Sequence, residues 1–231
     1  MHQHRQARFH RLTTAVSLVL YAALAVVFVF TAPASSDDTV ADLEIIAASG
    51  AGPTISAYAF LAAQAALVIG LIGVAHLLRD RTPVIAPIAV AISILGAFAH
   101  AAVAGFSLVE IGAASVGPSS IDGAAAAIDA TITGVATPVS LVGLAGTVLG
   151  TILLAVAVFR SRLGAVWVGI VLIGWVVVEF VAGSLGMWAT IMSGVLLMAG
   201  FIGLAFTVWR SRLRDWLTAR EAEVVLERVT A

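Results

Sequence analysis

Every basic side chain in this sequence is an arginine, and all twelve stand where an even number of apolar crossings gathers them on one face. A helix needs about 20 consecutive, mostly apolar residues to cross the hydrocarbon core of a bilayer. Six segments meet that requirement: 13–33, 56–78, 83–107, 135–159, 164–185 and 188–209. Arg5, Arg8 and Arg11 precede the first, while Arg79 and Arg81 join the second to the third. Arg160 and Arg162 join the fourth to the fifth, and Arg210, Arg212, Arg214, Arg220 and Arg228 follow the sixth. Short loops rich in arginine stay in the cytoplasm, so both termini are expected inside. The opposite loops carry Asp37, Asp38, Asp42, Glu44, Glu110, Asp122 and Asp129 and no basic residue. Five or seven crossings would scatter the arginines over both faces.

Composition agrees. The chain is 61% hydrophobic and 11% charged, against about 25% charged residues in a soluble domain. Its mean hydropathy is +1.10, and an apolar excess of that size needs lipid as its solvent. The expected fold class is therefore all-α: a polytopic membrane protein of six transmembrane helices, N-in/C-in, with a short cytoplasmic C-terminal helix. Its parts are a cytoplasmic N-terminus over 1–12, a six-helix bundle over 13–209 and an amphipathic cytoplasmic tail over 210–231. The bilayer is the first expected partner. A membrane-protein partner or a second copy is the next, through Gly/Ala-rich helix faces. Arginine as the sole base suits a GC-rich bacterial genome, hence an inner membrane. A net charge of −1 gives no basis for nucleic-acid binding, and there is no cysteine for disulfides or thiolate metal sites. The first span ends in "TAPASS", which has the small-x-small look of a signal-peptidase site. Its apolar region exceeds the 7–15 residues of a cleaved signal, so an uncleaved first helix is expected.

The outer loop 108–134 is long and rich in small residues, with room for a short interfacial helix over 120–130. Span three can also continue past Phe106 and carry Glu110 on its outer end. In the tail, Leu213, Trp216, Leu217, Arg220 and Val224 follow three- and four-residue steps, the pattern of a helix lying on the membrane surface. Trp167, Trp209 and Trp188 fall near span ends, where indoles favour the headgroup level. A weak internal repeat aligns "LGAFAHAAVAG" (95–105) with "IGWVVVEFVAG" (173–183) and would place His100 and Glu179 at adjacent register positions. Arginine turns and apolar helices also look alike by composition alone.

Few polar side chains interrupt the spans. At 1.5 Å rise per residue, Glu179 lies about 7–10 Å below the outer boundary of span five, His100 at a similar depth in span three and Gln64 about 12 Å deep in span two. Thr137 and Ser140 stand just inside the outer end of span four. Span three carries a stripe of Ser93, Gly96, His100, Ala104 and Ser107, and span four one of Thr137, Ser140, Thr147 and Thr151. Small and hydroxylated residues mark helix–helix faces in lipid, so His100 and Ser140 are expected to face the bundle interior. An ionisable residue within a span costs about 2.5–3.5 kcal/mol on insertion scales and takes a partner. The expected candidate site is a polar, outward-opening pocket in which Glu179 pairs with His100, supported by Gln64, Ser140 and Thr137. Such a pocket would take a small polar or cationic ligand, or carry a proton. The alternative is purely structural, with Glu179 bonded to a neighbour or reaching to the surface.

No cofactor is implied. A bis-histidine haem needs two imidazoles at one depth, whereas His76 and His100 fall at opposite ends of their spans. No phosphate-binding glycine loop, HExxH helix or serine–histidine catalytic arrangement is present in the sequence. The chain reads as a non-catalytic binding, sensory or accessory membrane component. The second reading is a small proton-coupled solute transporter using Glu179 and His100.

The runs "RQARFHRLTTAVSLVLYAALAVVF", "ADLEIIAASG", "IGLIGVAHLLRDRTP" and "FRSRLGAVWVGIVLIGW" resemble a family of bacterial six-helix integral membrane proteins of unknown function. The resemblance implies a six-helix bundle and no established activity. Where it would place an acidic residue in the outer half of span two, this chain has Gln64.

Overall fold

The computed structural model describes residues 2–117, 120–163, 166–182 and 186–217. Among these residues all regular structure is helical. The α-helices are α1 (His2–Thr31), α2 (Thr39–Ala48), α3 (Gly52–Leu78), α4 (Ile85–Ala114), α5 (Ile121–Thr131), α6 (Thr137–Ser161), α7 (Val166–Phe180) and α8 (Met187–Arg210). A π-helical turn at Ile132–Ala136 joins α5 to α6, making one unbroken helix over Ile121–Ser161. Five helical stretches are long and apolar enough to cross a membrane, and α7 is a shorter apolar helix. This is a multi-pass membrane protein.

The chain's local signals explain where these helices start. Pro53 occupies the first turn of α3, where a missing N–H costs nothing and the fixed φ is already helical, whereas Pro138 follows directly on the π-helical turn inside the continuous helix and removes one backbone donor from it. The Asp38 side chain caps α2 by accepting from the Val40 amide at 3.3 Å, which satisfies one of the free donors of the first turn. Within the helices, hydroxyls donate back to the preceding turn: Thr14 to the His10 carbonyl at 2.8 Å, Ser93 to Ala89 at 2.9 Å and Thr207 to Gly203 at 2.9 Å. In lipid such a hydroxyl has no water to turn to, so the backbone is its partner.

Six helices form a closed ring in chain order: α1 packs on α3, α3 on α4, α4 on α6, α6 on α7, α7 on α8, and α8 returns to α1. The surface of this ring is apolar on every helix. Leu20 on α1, Ile69 on α3, Leu95 on α4, Leu149 on α6, Ile170 on α7 and Ile202 on α8 are all exposed. A belt of that extent would be untenable in water. Because lipid tails are as apolar as leucine, helix association here rests on close packing rather than on burial from water. The α4–α6 seam shows this at its limit. A Cβ added at Gly146 would stand 2.5 Å from the Gly96 Cα, and one at Gly96 would stand 2.9 Å from the Gly146 carbonyl carbon. Backbone meets backbone there.

At one end of the ring the arginines tie the helix termini together. Arg11 donates to the Ser211 carbonyl at 3.0 Å, just past the end of α8, and its guanidinium lies 5.4 Å from the Trp209 ring centroid. Arg81 donates to the Ser161 carbonyl at 3.1 Å, the last residue of α6. Arg79 donates to the Leu217 carbonyl at 2.5 Å and contacts the His76 ring, which stacks on Trp216 with centroids 5.6 Å apart. The Trp216 indole N–H in turn donates to the Ser211 hydroxyl at 2.7 Å. Free carbonyls and partial negative charge collect at helix C-termini, and guanidinium groups suit both. Arg220 and Arg228 lie outside the described residues.

At this end the segment 1–12 is helical from His2 onward, as the first part of α1, and one expectation changes. The tail forms a 3-10 turn at Leu213–Trp216, with Trp216 and Leu217 buried against the bundle, rather than a helix lying on the surface. Trp216 finds its apolar partner and its hydrogen bond inside the protein, which outweighs a position among headgroups. The rest of the proposed tail helix falls outside the described residues.

The opposite end is acidic and capped. α4 runs 30 residues, about 45 Å at 1.5 Å per residue, so it continues past the hydrocarbon core and carries Glu110 with it. α2 and α5 pack against this extension around Leu43, Ala114, Ala125 and Ile128. A hydrogen bond from the Thr39 hydroxyl to the Asp129 carboxylate joins the two short helices. The short helix expected over 120–130 is thus α5, and span three does continue beyond Phe106.

Candidate functional site

His100 sits half-buried on the α4 face toward α6. Its Nε2 lies 3.0 Å from the Thr147 hydroxyl, and its ring meets Phe60 of α3 edge-on with centroids 5.6 Å apart. Phe60 stacks in turn on Phe28 of α1. Gly143 opens the slot: a Cβ there would stand 3.2 Å from the His100 Cε1. One histidine therefore links α3, α4 and α6 in the acidic-end half of the ring. Gln64 is buried on α3.

Glu179 does not join it. It stands exposed in the last turn of α7, and its carboxylate accepts a hydrogen bond from the buried Ser193 hydroxyl of α8. Ring order is the reason, since α6 lies between α4 and α7 and sets His100 and Glu179 on different seams. The expected Glu179–His100 pair is therefore not formed. The sequence repeat places the two residues at one depth, but one faces in and the other out. The span-four hydroxyls also divide. Thr137 is exposed and donates to the Ile132 carbonyl at 2.6 Å, closing the π-helical turn. Ser140 is exposed as well, against the expectation that it faces the interior, because no helix of the ring covers it. Thr147 and Thr151 are the members of that stripe that face inward, alongside Gly143, Gly146 and Gly150. That glycine row was the signal for the interior face of α6. Ser193, the partner of Glu179, carries no such mark.

The expected polar pocket among Gln64, His100, Ser140, Thr137 and Glu179 is thus not assembled. Two other spaces exist. One is a cavity of about 240 Å³ at the acidic end, framed by Ile46 and Ala47 of α2, Gly50, Pro53 of α3, and Ile111, Ala114 and Ser115 at the end of α4. Gly50 makes its rim possible: it turns the chain from α2 into α3 at φ +59°, a conformation that costs glycine little. Most of the residues around the cavity are apolar but its wall is mixed, with backbone polar groups exposed beside them, and the Ser115 hydroxyl donates to the Gly112 carbonyl at 2.6 Å. The other space is a smaller cavity on the ring axis.

Comparisons with family models, with curated proteins and with solved structures find no match to this chain. The resemblance to a six-helix family therefore stands on sequence pattern alone.

Proposed function

We propose that the chain is a six-span protein of a bacterial plasma membrane, with both termini in the cytoplasm, that serves as a non-catalytic binding or accessory component. The gathering of the described arginines at one end supports the orientation, through the positive-inside rule. The sixth crossing of this proposal is the shorter apolar helix α7, Val166–Phe180, about 22 Å long. The observation that carries the binding reading is the cavity between α2, the start of α3 and the end of α4, which opens at the outer headgroup level. Its mixed wall of apolar side chains and polar groups suits a small amphipathic group, such as a lipid-like ligand or the side chain of a membrane partner.

Native mass spectrometry of protein extracted in mild detergent tests this reading. The intact chain should retain a bound mass that Ala47→Trp, which fills the cavity mouth from an exposed position, removes. Loss of nothing on that substitution would overturn it. The second reading, a small proton-coupled transporter, draws on Gln64 and the His100–Thr147 pair inside the ring. Glu179 weighs against a shared relay, because it has its own partner on a different seam. Glu179→Gln and His100→Ala should accordingly lower thermal stability additively, to within about 0.3–0.5 kcal/mol. Proton-driven flux in reconstituted vesicles that disappears in both variants would favour the transporter instead.

A further inference from the structure

All six ring helices contribute to a small cavity on the ring axis: Tyr21 of α1, Leu67 of α3, Ser93 of α4, Thr151 of α6, Trp175 of α7 and Phe201 of α8 line it, with Thr147 beside them. Its volume is about 20 Å³, and a single water needs roughly 10–15 Å³ on the same measure together with two to four polar partners. The wall supplies those partners. Tyr21, Thr151 and Trp175 are 7%, 6% and 5% exposed, yet no protein hydrogen bond is formed by the phenol, the threonine hydroxyl or the indole N–H among the described residues. None of these polar atoms is sealed off, because every fully enclosed side-chain nitrogen or oxygen there has a partner. Each of the three must therefore open onto a space that a water-sized molecule reaches. Three residues this deeply buried, on three helices, share one such space. Ser93 adds an acceptor, since its hydroxyl proton is committed to the Ala89 carbonyl at 2.9 Å and its lone pairs remain available.

We infer that this axial cavity is a binding site for one water molecule, held chiefly by the Tyr21 and Thr151 hydroxyls. The ligand is neutral, because no carboxylate or arginine lines the cavity. Thr147 lines the same wall and its hydroxyl lies 3.0 Å from the His100 Nε2, so the water sits next to the His100–Thr147 pair on the ring axis. It joins helices that neighbour one another around the ring but do not all touch across it. This inference does not depend on the cavity beside α2, and its test is separate.

Radiolytic hydroxyl-radical footprinting detects bound water inside membrane proteins, because the radical forms where the water sits. In the full-length protein in nanodiscs, Trp175 and Phe201 should be oxidised despite their burial. Thr151→Val, which keeps the shape and removes the hydroxyl, should lower that oxidation several-fold while leaving Trp188, exposed at the outer end, unchanged. Tyr21→Phe should do the same. In thermal unfolding the double variant should be no less stable than the weaker single variant, since both substitutions release the same water. Oxidation of Trp175 and Phe201 that is absent, or indifferent to both substitutions, would overturn the inference. So would strictly additive losses of stability, which would mean that each hydroxyl acts alone in a dry core.

Discussion

Gly146→Leu is expected to open the α4–α6 seam and to unfold the bundle at a much lower temperature in detergent. Even alanine at this position would put a Cβ 2.5 Å from the Gly96 Cα and 2.7 Å from its amide nitrogen. The obstacle is backbone, which cannot rotate aside as a side chain can. Overpacking a tight contact costs about 1–3 kcal/mol in soluble cores, and leucine adds three further carbons to the same collision. Two more contacts fail with it. His100 loses the slot beside Gly143, and Ser93 moves away from Gly150, whose added Cβ would stand 2.9 Å from the Ser93 amide nitrogen. Gly105, which meets nothing within 4 Å of an added Cβ, is the control, and Gly105→Leu should leave the melting temperature almost unchanged. Circular dichroism of the two variants through a thermal ramp separates these outcomes.

Trp216→Ala is expected to have the second large effect, at the arginine end. The indole is buried, stacks on His76 and donates to the Ser211 hydroxyl. Truncating a buried tryptophan to alanine costs about 3–5 kcal/mol. The loss should spread, because Trp216 holds the chain that offers the Leu217 carbonyl to Arg79 and the Ser211 carbonyl to Arg11. Hydrogen exchange should therefore rise in the last turns of α3 and α8 and in the first turns of α1, while α2 and α5 keep wild-type protection. Trp216→Phe keeps the stacking and loses the hydrogen bond, so it should fall between the two.

The lengthwise coordinate of this protein was legible in its sequence and the angular one was not. Runs of apolar residues and the position of each arginine gave the long apolar helices, their order along the chain and the end of the bundle at which the arginines gather. They could not say which way a side chain faces, because a helix apolar all round carries no hydrophobic stripe to point inward. The angular signal read from the sequence, small and hydroxylated residues at three- and four-residue steps, turned His100 inward correctly and Ser140 inward wrongly. The glycine row 143, 146 and 150 marks the interior face of α6 more closely, with Thr147 and Thr151 beside it. On α7 no such row exists, so nothing set Glu179 apart from the lipid-facing side, and its pairing with His100 followed from depth alone. Tyr21 and Trp175 escaped notice for a related reason: each reads as an ordinary apolar-compatible aromatic until six helices converge on it.

The proposed six crossings would place the described arginine turns together on the cytoplasmic side of a membrane. The chain has no cysteine, so single cysteines can be introduced at Ser49, Ser115 and Met187 at the acidic end and at Asp80 and Asp215 at the arginine end. Intact cells are then treated with a membrane-impermeant maleimide. The account predicts labelling at Ser49→Cys, Ser115→Cys and Met187→Cys, and protection of Asp80→Cys and Asp215→Cys until the membrane is permeabilised. Labelling of Asp80→Cys and Asp215→Cys on opposite sides of the membrane would contradict it.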